Sequence, residues 1–185
     1  MQNLATKFVV GVAAIGALSM AISLGNHLLK ISTLQTIPLN EVSIDQALLV
    51  AQGAIDECKK NGDVITVAVV DRTGGVRFIL RGDGATPEDV EAARRKAYTA
   101  RTFRSSTSDW IKRTALDAME QDGTTPVDLI GQRSLENTLA EAGGMPLLWH
   151  NDAIGGVGVK GAKGGGEADE ICAKAGVDAI KDQLL

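Results

Sequence analysis

Apolar residues recur at helical spacing after Ser43. Ile44, Ala47, Leu48, Ala51, Ile55 and Cys58 fall on one side of a helix and predict its buried face. Ser43 and Gln46 have the spacing of a capping box, and Asn61-Gly62 closes the segment. The period then changes. Val64 to Asp71, VITVAVVD, is rich in β-branched residues and predicts a buried strand. RTGG is a turn, and VRFILRGDG predicts a second strand antiparallel to the first. Thr86-Pro87 starts the next helix: Thr86 caps, Pro87 suits the first helical position, and Asp89 meets free N–H groups. Val90, Ala93, Ala97 and Ala100 form its inner stripe, and alanine there predicts a close neighbour. SSTSDW offers caps for a third helix over about Asp109 to Gln121, broken by Asp122-Gly123. A short helix is expected over Leu135 to Ala142, ended by Gly143-Gly144. MPLLWH and AIGGVGVKG read as two strands joined by a tight turn at His150-Asn151-Asp152. A last helix, from about Glu167 to Lys181, has Ile171, Ala175, Val177 and Ile180 as apolar positions.

The order is α, ββ, αα, ββ, α. Two hairpins separated by helices predict an antiparallel sheet with helices packed on it, which is α+β rather than α/β. Aromatic residues make up only 3%, so the core must come from Val, Ile, Leu and Ala. The formal charge is -4 with signs mixed along the chain, which offers no basic face to a nucleic acid. The N-terminus stands apart. Lys7 is followed by Phe8 to Leu24, a run without charge, and Ser19-Met20-Ala21 supplies small residues for a signal peptidase. Residues 1–21 are therefore expected to be a secretory signal, 22–40 a connector and 41–185 the domain. The protein is then exported, periplasmic or extracellular. An uncleaved membrane anchor is the alternative. Cys58 and Cys172 both fall on apolar helix sides. Export would allow them to pair; burial as small hydrophobes is the other reading.

GGVGVKGAKGGGE, Gly155 to Glu167, contains G-x-G-x-x-G. The dinucleotide fingerprint needs a strand, the glycines, a helix and then a second parallel strand. Here the glycines lie inside the strand and the sequence given stops just past the helix. A Walker A loop fails as well, because Lys163 is followed by Gly164. Two readings remain. Glycines in a strand permit close approach of another group. A glycine-rich helix start, at Gly164 and Gly165, presents free N–H groups to a carboxylate or phosphate. Glu167 and Glu170 are spaced i, i+3 on that helix, so both carboxylates face one way. They are candidates to hold iron or another hard cation. Dipole complementation at the helix start is the plainer alternative.

VAVVDRTGGVRFILRGDGA, ARRKAYTARTF with Ser and Thr after it, GGMPLLW and IGGVGVKGAKGGGEADEICAKAG follow one another in this order. The series, from about Val42 to the end, resembles the GlcG/HbpS-like haem-binding family, also called haem-degrading domain proteins. The resemblance implies a profilin-like α+β domain that assembles into dimers or larger rings. It implies binding of haem or iron outside the cytoplasm; the alternative is an accessory protein or enzyme acting on a corrinoid, flavin or small organic acid in the same pocket. In family terms Asp71 and Gly74 shape the first hairpin and Arg81 ends the second strand. Lys96, Thr99, Gly155, Gly158 and Gly161 mark the pocket, which the glycine-rich helix start at Gly164 and Gly165 adjoins, and Glu167 with Glu170 fits an acidic iron-binding pattern. Haem iron is usually held by His, Cys, Met or Tyr. His150 at the hairpin tip is the leading candidate, ahead of Met145, Met119, Tyr98 and Thr99; His27 lies near the expected cleavage site. No catalytic set is apparent, so capture, storage or sensing is expected, with little or no turnover.

Overall fold

The computed structural model describes residues 39–115, 117 and 129–184. Helix α1 spans Ile44–Lys59. The capping box forms in both directions: Gln46 N donates to Ser43 Oγ at 3.1 Å, and Ser43 N donates to Gln46 Oε1 at 3.0 Å. Strands β1 (Thr66–Asp71) and β2 (Val76–Leu80) make the first hairpin. Helix α2 spans Pro87–Phe103, capped by Thr86, and α3 spans Thr107–Arg113, capped by Ser106. Strands β3 (Gly144–Trp149) and β4 (Asp152–Lys160) make the second hairpin, and α4 spans Gly165–Asp178. The sheet has the order β2-β1-β4-β3 with every pair antiparallel. The fold is the expected α+β order, α-ββ-αα-ββ-α.

Strand alternation sends neighbouring side chains to opposite faces. Val67, Val69, Val157 and Val159 join one core with α1 and α4. Gly156 and Gly158 turn to the other face, where α2 lies. A Cβ on Gly156 would stand 2.4 Å from Ala97 O, and one on Gly158 would stand 2.1 Å from Ala93 O. Bare strand backbone therefore meets helix backbone, and the alanine stripe expected on α2 is buried at Ala93, Ala97 and Ala100. Close packing, one of the two readings of the glycine strand, accounts for Gly156 and Gly158.

Four expectations need correction. The buried face of α1 is Ala47, Val50, Ala51, Ala54 and Cys58, while Ile44 and Leu48 are nearly half exposed. The helix packs backbone to backbone on α4, where a Cβ on Gly176 would lie 2.5 Å from Val50 O, and this turns the buried stripe toward Val50 and Ala54. Leu135 to Ala142 is not helical; a short 3-10 turn occupies Ile130–Ser134 instead. Asn137 takes a left-handed φ of 66°, and α2 claims the segment's polar groups. Arg94 donates to Asn137 Oδ1 at 2.8 Å, and Leu139 N donates to Thr99 Oγ1 at 2.9 Å. The third helix starts two residues early and ends at Arg113, where the Thr114 hydroxyl bonds Trp110 O at 2.8 Å. Within its expected span, residues 116 and 118–121 lie outside the described residues. Finally, α4 begins at Gly165 and gives way to a 3-10 turn at Lys181–Gln183.

Cys58 on α1 and Cys172 on α4 form a disulfide, with Cα atoms 5.5 Å apart. It clamps the two helices of one layer. Among the described residues, no helix is long and apolar enough to cross a membrane.

Candidate functional site

Helical periodicity divides α4 into two faces. Asp169, Cys172, Ala173 and Gly176 are buried. Glu167, Glu170, Ile171 and Lys174, at i, i+3, i+4 and i+7, face the other way. With Ser106, Ser108, Asp109 and Lys112 from α3 and Met145 from β3, they line a cleft of about 430 Å³. Ile171, expected in the core, is 62% exposed at this cleft. It lies one position from the buried Cys172, on the side of the helix that the sheet does not cover.

Glu170 is held by four donors. Ser108 N donates at 3.1 Å, Gly143 N at 3.3 Å, Thr107 Oγ1 at 3.4 Å, and the Ser108 hydroxyl closes the set. Its carboxylate thereby caps the start of α3 and ties it to α4. Glu167 lies one turn earlier and is exposed. Among the described residues, no group of three or more His, Cys, Asp or Glu side chains could hold a metal ion. Glu167 and Glu170 are a pair, and no third ligand of those types joins them.

Behind the cleft lies a buried charge cluster. The Lys96 ammonium is fully buried and spends its three hydrogens on Asp169 Oδ2 at 2.9 Å, Val159 O at 3.0 Å and Glu141 Oε1 at 3.1 Å. Asp169 Oδ1 accepts from Ala162 N at 2.9 Å, which fixes the loop leading into α4. Lys160 bonds Glu141 at 2.5 Å. Burial alone would raise the Glu141 carboxyl, but the Lys160 hydrogen bond and the Lys96 charge outweigh it and hold it below its ordinary value. The same hydrogen bond, donated by Lys160 to Glu141, holds Lys160 above its ordinary value. In the first hairpin, Asp71 Oδ1 accepts from Thr73 N, Thr73 Oγ1 and Gly75 N. Burial opposes its ionisation, yet these bonds and the Arg77 charge hold it below its ordinary value.

The residues singled out from sequence do not form one site. Glu167, Glu170 and Met145 line the cleft. Lys96 is consumed by the buried cluster. Thr99 is fully buried, its hydroxyl donating to Arg95 O at 2.8 Å and accepting from Leu139 N. Gly158 lies under α2. Gly161 and Gly165 adopt φ of 120° and 72°, and Gly164 is the N-cap of α4, without a side chain to cap it. The Tyr98 ring covers Gly74, 2.7 Å from where a Cβ would stand. His150 and Asn151, at φ 46° and 65°, form the two-residue turn between β3 and β4. His150 is exposed, with its ring 4.4 Å from that of Trp149. Eight strand steps of about 3.3 Å separate Asp152 from Lys160, so His150 is about 26 Å along β4 from the glycine loop. Met119 and His27 lie outside the described residues. Sequence reasoning passed over Lys112, Lys174 and the serines of α3. The i, i+4 and i, i+7 steps from Glu167 and Glu170 would have found Ile171 and Lys174.

A family model described as haem degrading protein, HbpS-like, matches residues 42–178. The chain is similar to a crystal structure of HbpS, at 33% identity and TM-score 0.69, covering 79% of this chain and 94% of that one. A double mutant of HbpS from Streptomyces reticuli is 32% identical, with TM-score 0.68 and coverage of 78% and 90%. A PduOC–haem complex shares the fold at 23% identity and TM-score 0.60, over 76% of this chain and 95% of that chain. No curated protein matches the chain.

Proposed function

The chain belongs to the HbpS-like family of haem degrading proteins, and from that membership we propose that it binds haem in the cleft between α3 and α4. The carrying observation is the cleft's chemistry. Haem has a broad apolar plane, two propionates and an iron. Ile171 and Met145 offer apolar surface, and Lys112 and Lys174, paired in this structure with Asp109 and Asp178 on their own helices, would turn from those exposed partners to meet propionates. Met145 brings a thioether, a ligand type that haem iron accepts. Of the acidic pair, Glu167 is the group left at the cleft for a cation, because Glu170 is already engaged by Thr107, Ser108 and Gly143. The cleft is open on one side, which suits a haem held at the surface and handed on. Bound there, haem would supply its own iron chemistry, and the protein would hold and orient it. Capture, storage or sensing with little turnover is the role we assign.

Two further parts of the reading have their own support. The Cys58–Cys172 disulfide is a bond that persists in oxidising compartments, which favours export. Exposed Ile44 and Leu48 on α1, with Val76 and Leu80 on the edge strand β2, favour assembly with further copies of the chain. The test is a haem titration of the full chain followed by the Soret band, with a corrinoid titrated in parallel. Saturation by haem at a fixed ratio per chain is expected. Saturation by the corrinoid alone would overturn the assignment.

A further inference from the structure

A second hollow, of about 330 Å³, lies where the end of α1 meets the start of β1 and the end of β2. It shares no residue with the cleft. Ile55, Val64 and Leu80 supply its apolar wall. Asp63 also lines it, with a side chain only 5% exposed. Asp63 Oδ1 is buried and accepts no hydrogen bond among the described residues. The nearest ammonium, Lys163 Nζ, stands 3.7 Å away, beyond hydrogen-bond reach, and donates instead to Gly62 O at 3.2 Å. A buried carboxylate oxygen without a donor is costly in a folded chain. It points to a donor that arrives from outside.

The surroundings define that donor. The C-terminus of the 16-residue α1 adds negative potential beside Asp63, which favours a cation. Arg81, also on the wall, donates to Ala85 O from both Nε, at 2.7 Å, and Nη2, and makes no ion pair among the described residues. The Nη1 side of its guanidinium is left to meet a carboxylate. The hollow has room for roughly eleven water-sized groups. Lys59 and Asp83 add one charge of each sign to the wall, so the hollow pairs groups for a cation and for an anion with an aliphatic surface, which suits a zwitterion with an aliphatic side chain.

We propose that this hollow binds a small aliphatic α-amino acid, with its ammonium on Asp63, its carboxylate toward Arg81 and its side chain on Ile55, Val64 and Leu80. The site is independent of the haem assignment. The test is calorimetric titration of the full chain with L-leucine, and separately with 3-methylbutylammonium and 4-methylpentanoate, which lack its carboxylate and its ammonium respectively. Leucine saturates the hollow and binds at least about ten-fold tighter than either analogue. Asp63→Asn, which keeps the shape and removes the charge, weakens leucine about ten-fold or more. Leu80→Trp fills the hollow, leaves Asp63 in place and abolishes the binding. Leucine binding no tighter than these analogues, unchanged affinity in Leu80→Trp, or no saturation by about 10 mM leucine would overturn the proposal.

Discussion

Placing a single methyl group on Gly158 measures how closely α2 lies on the sheet. In Gly158→Ala the new Cβ would begin 2.1 Å from Ala93 O, 2.6 Å from Ala97 N and 3.0 Å from Lys96 Cβ. Ordinary carbon–oxygen contacts lie near 3.3 Å or beyond, so α2 must back away by about 1 Å. The two nearest obstacles are backbone atoms and cannot rotate aside. Overpacking of this kind costs about 1–3 kcal/mol, and a gap of that size also forfeits a quarter to a half of each contact that α2 makes. Ala93, Ala97 and Ala100 are all at 0% exposure, so that loss is shared along the helix. We expect about 3 kcal/mol of destabilisation, read by urea unfolding, or a fall in Tm of roughly 6–12 °C for a domain of this size. Gly84→Ala is the control. Its Cβ would meet nothing within 4 Å, and only its φ of 80° resists, at about 1 kcal/mol. If Gly158→Ala cost no more than Gly84→Ala, the close-packing account of the glycine strand would be wrong.

Cys58→Ala with Cys172→Ala opens a link between residues 114 apart in sequence, and loop entropy sets the loss at about 5 kcal/mol. The urea midpoint with and without reductant measures it, and equal midpoints would refute the clamp. Lys96→Met strands Asp169 in the core and should cost about 3–5 kcal/mol. Adding Asp169→Asn keeps an acceptor for Ala162 N and should recover a large part of that; a double mutant as unstable as the single would refute the pairing. Glu141 titrates lower in the folded chain than in the unfolded one. Its contribution is therefore complete above its ordinary 4.5 and disappears as pH falls through the lowered value. Lys160 titrates higher when folded, so its contribution holds below 10.5 and fades as pH rises through the raised value. Unfolding midpoints across both windows, compared with Glu141→Gln, test this; the variant should flatten both ends.

What the sequence displays best is what is decided locally. Ser43 with Gln46, and Thr86 with Pro87 and Asp89, carry their own capping chemistry within four residues, and both helices start where that chemistry says. The Asp71 turn and the His150-Asn151 hairpin are local in the same way. Leu135 to Ala142 has helix-forming residues, yet its conformation is settled by Arg94, Arg95 and Thr99, about forty positions away. Lys96 reads as a pocket residue on a helix, but its partners Asp169 and Glu141 meet it only through the tertiary fold. Ile171 fits an apolar stripe by spacing, and only the placement of α3 shows it facing a cleft. The glycine strand allowed two readings because no sequence pattern says which neighbour will come close.

The most direct test of the haem seat is a Soret titration of three full chains together: the unaltered protein, Ile171→Glu and His150→Ala. Ile171 is 62% exposed, so the charge is tolerated by the fold while it removes the cleft's apolar contact. Losing an apolar side chain's burial against haem corresponds to about ten-fold or more in affinity. The account predicts that loss in Ile171→Glu and affinity within about two-fold of the unaltered chain in His150→Ala. Retained affinity in Ile171→Glu with loss in His150→Ala would place the haem at the hairpin tip and contradict the cleft.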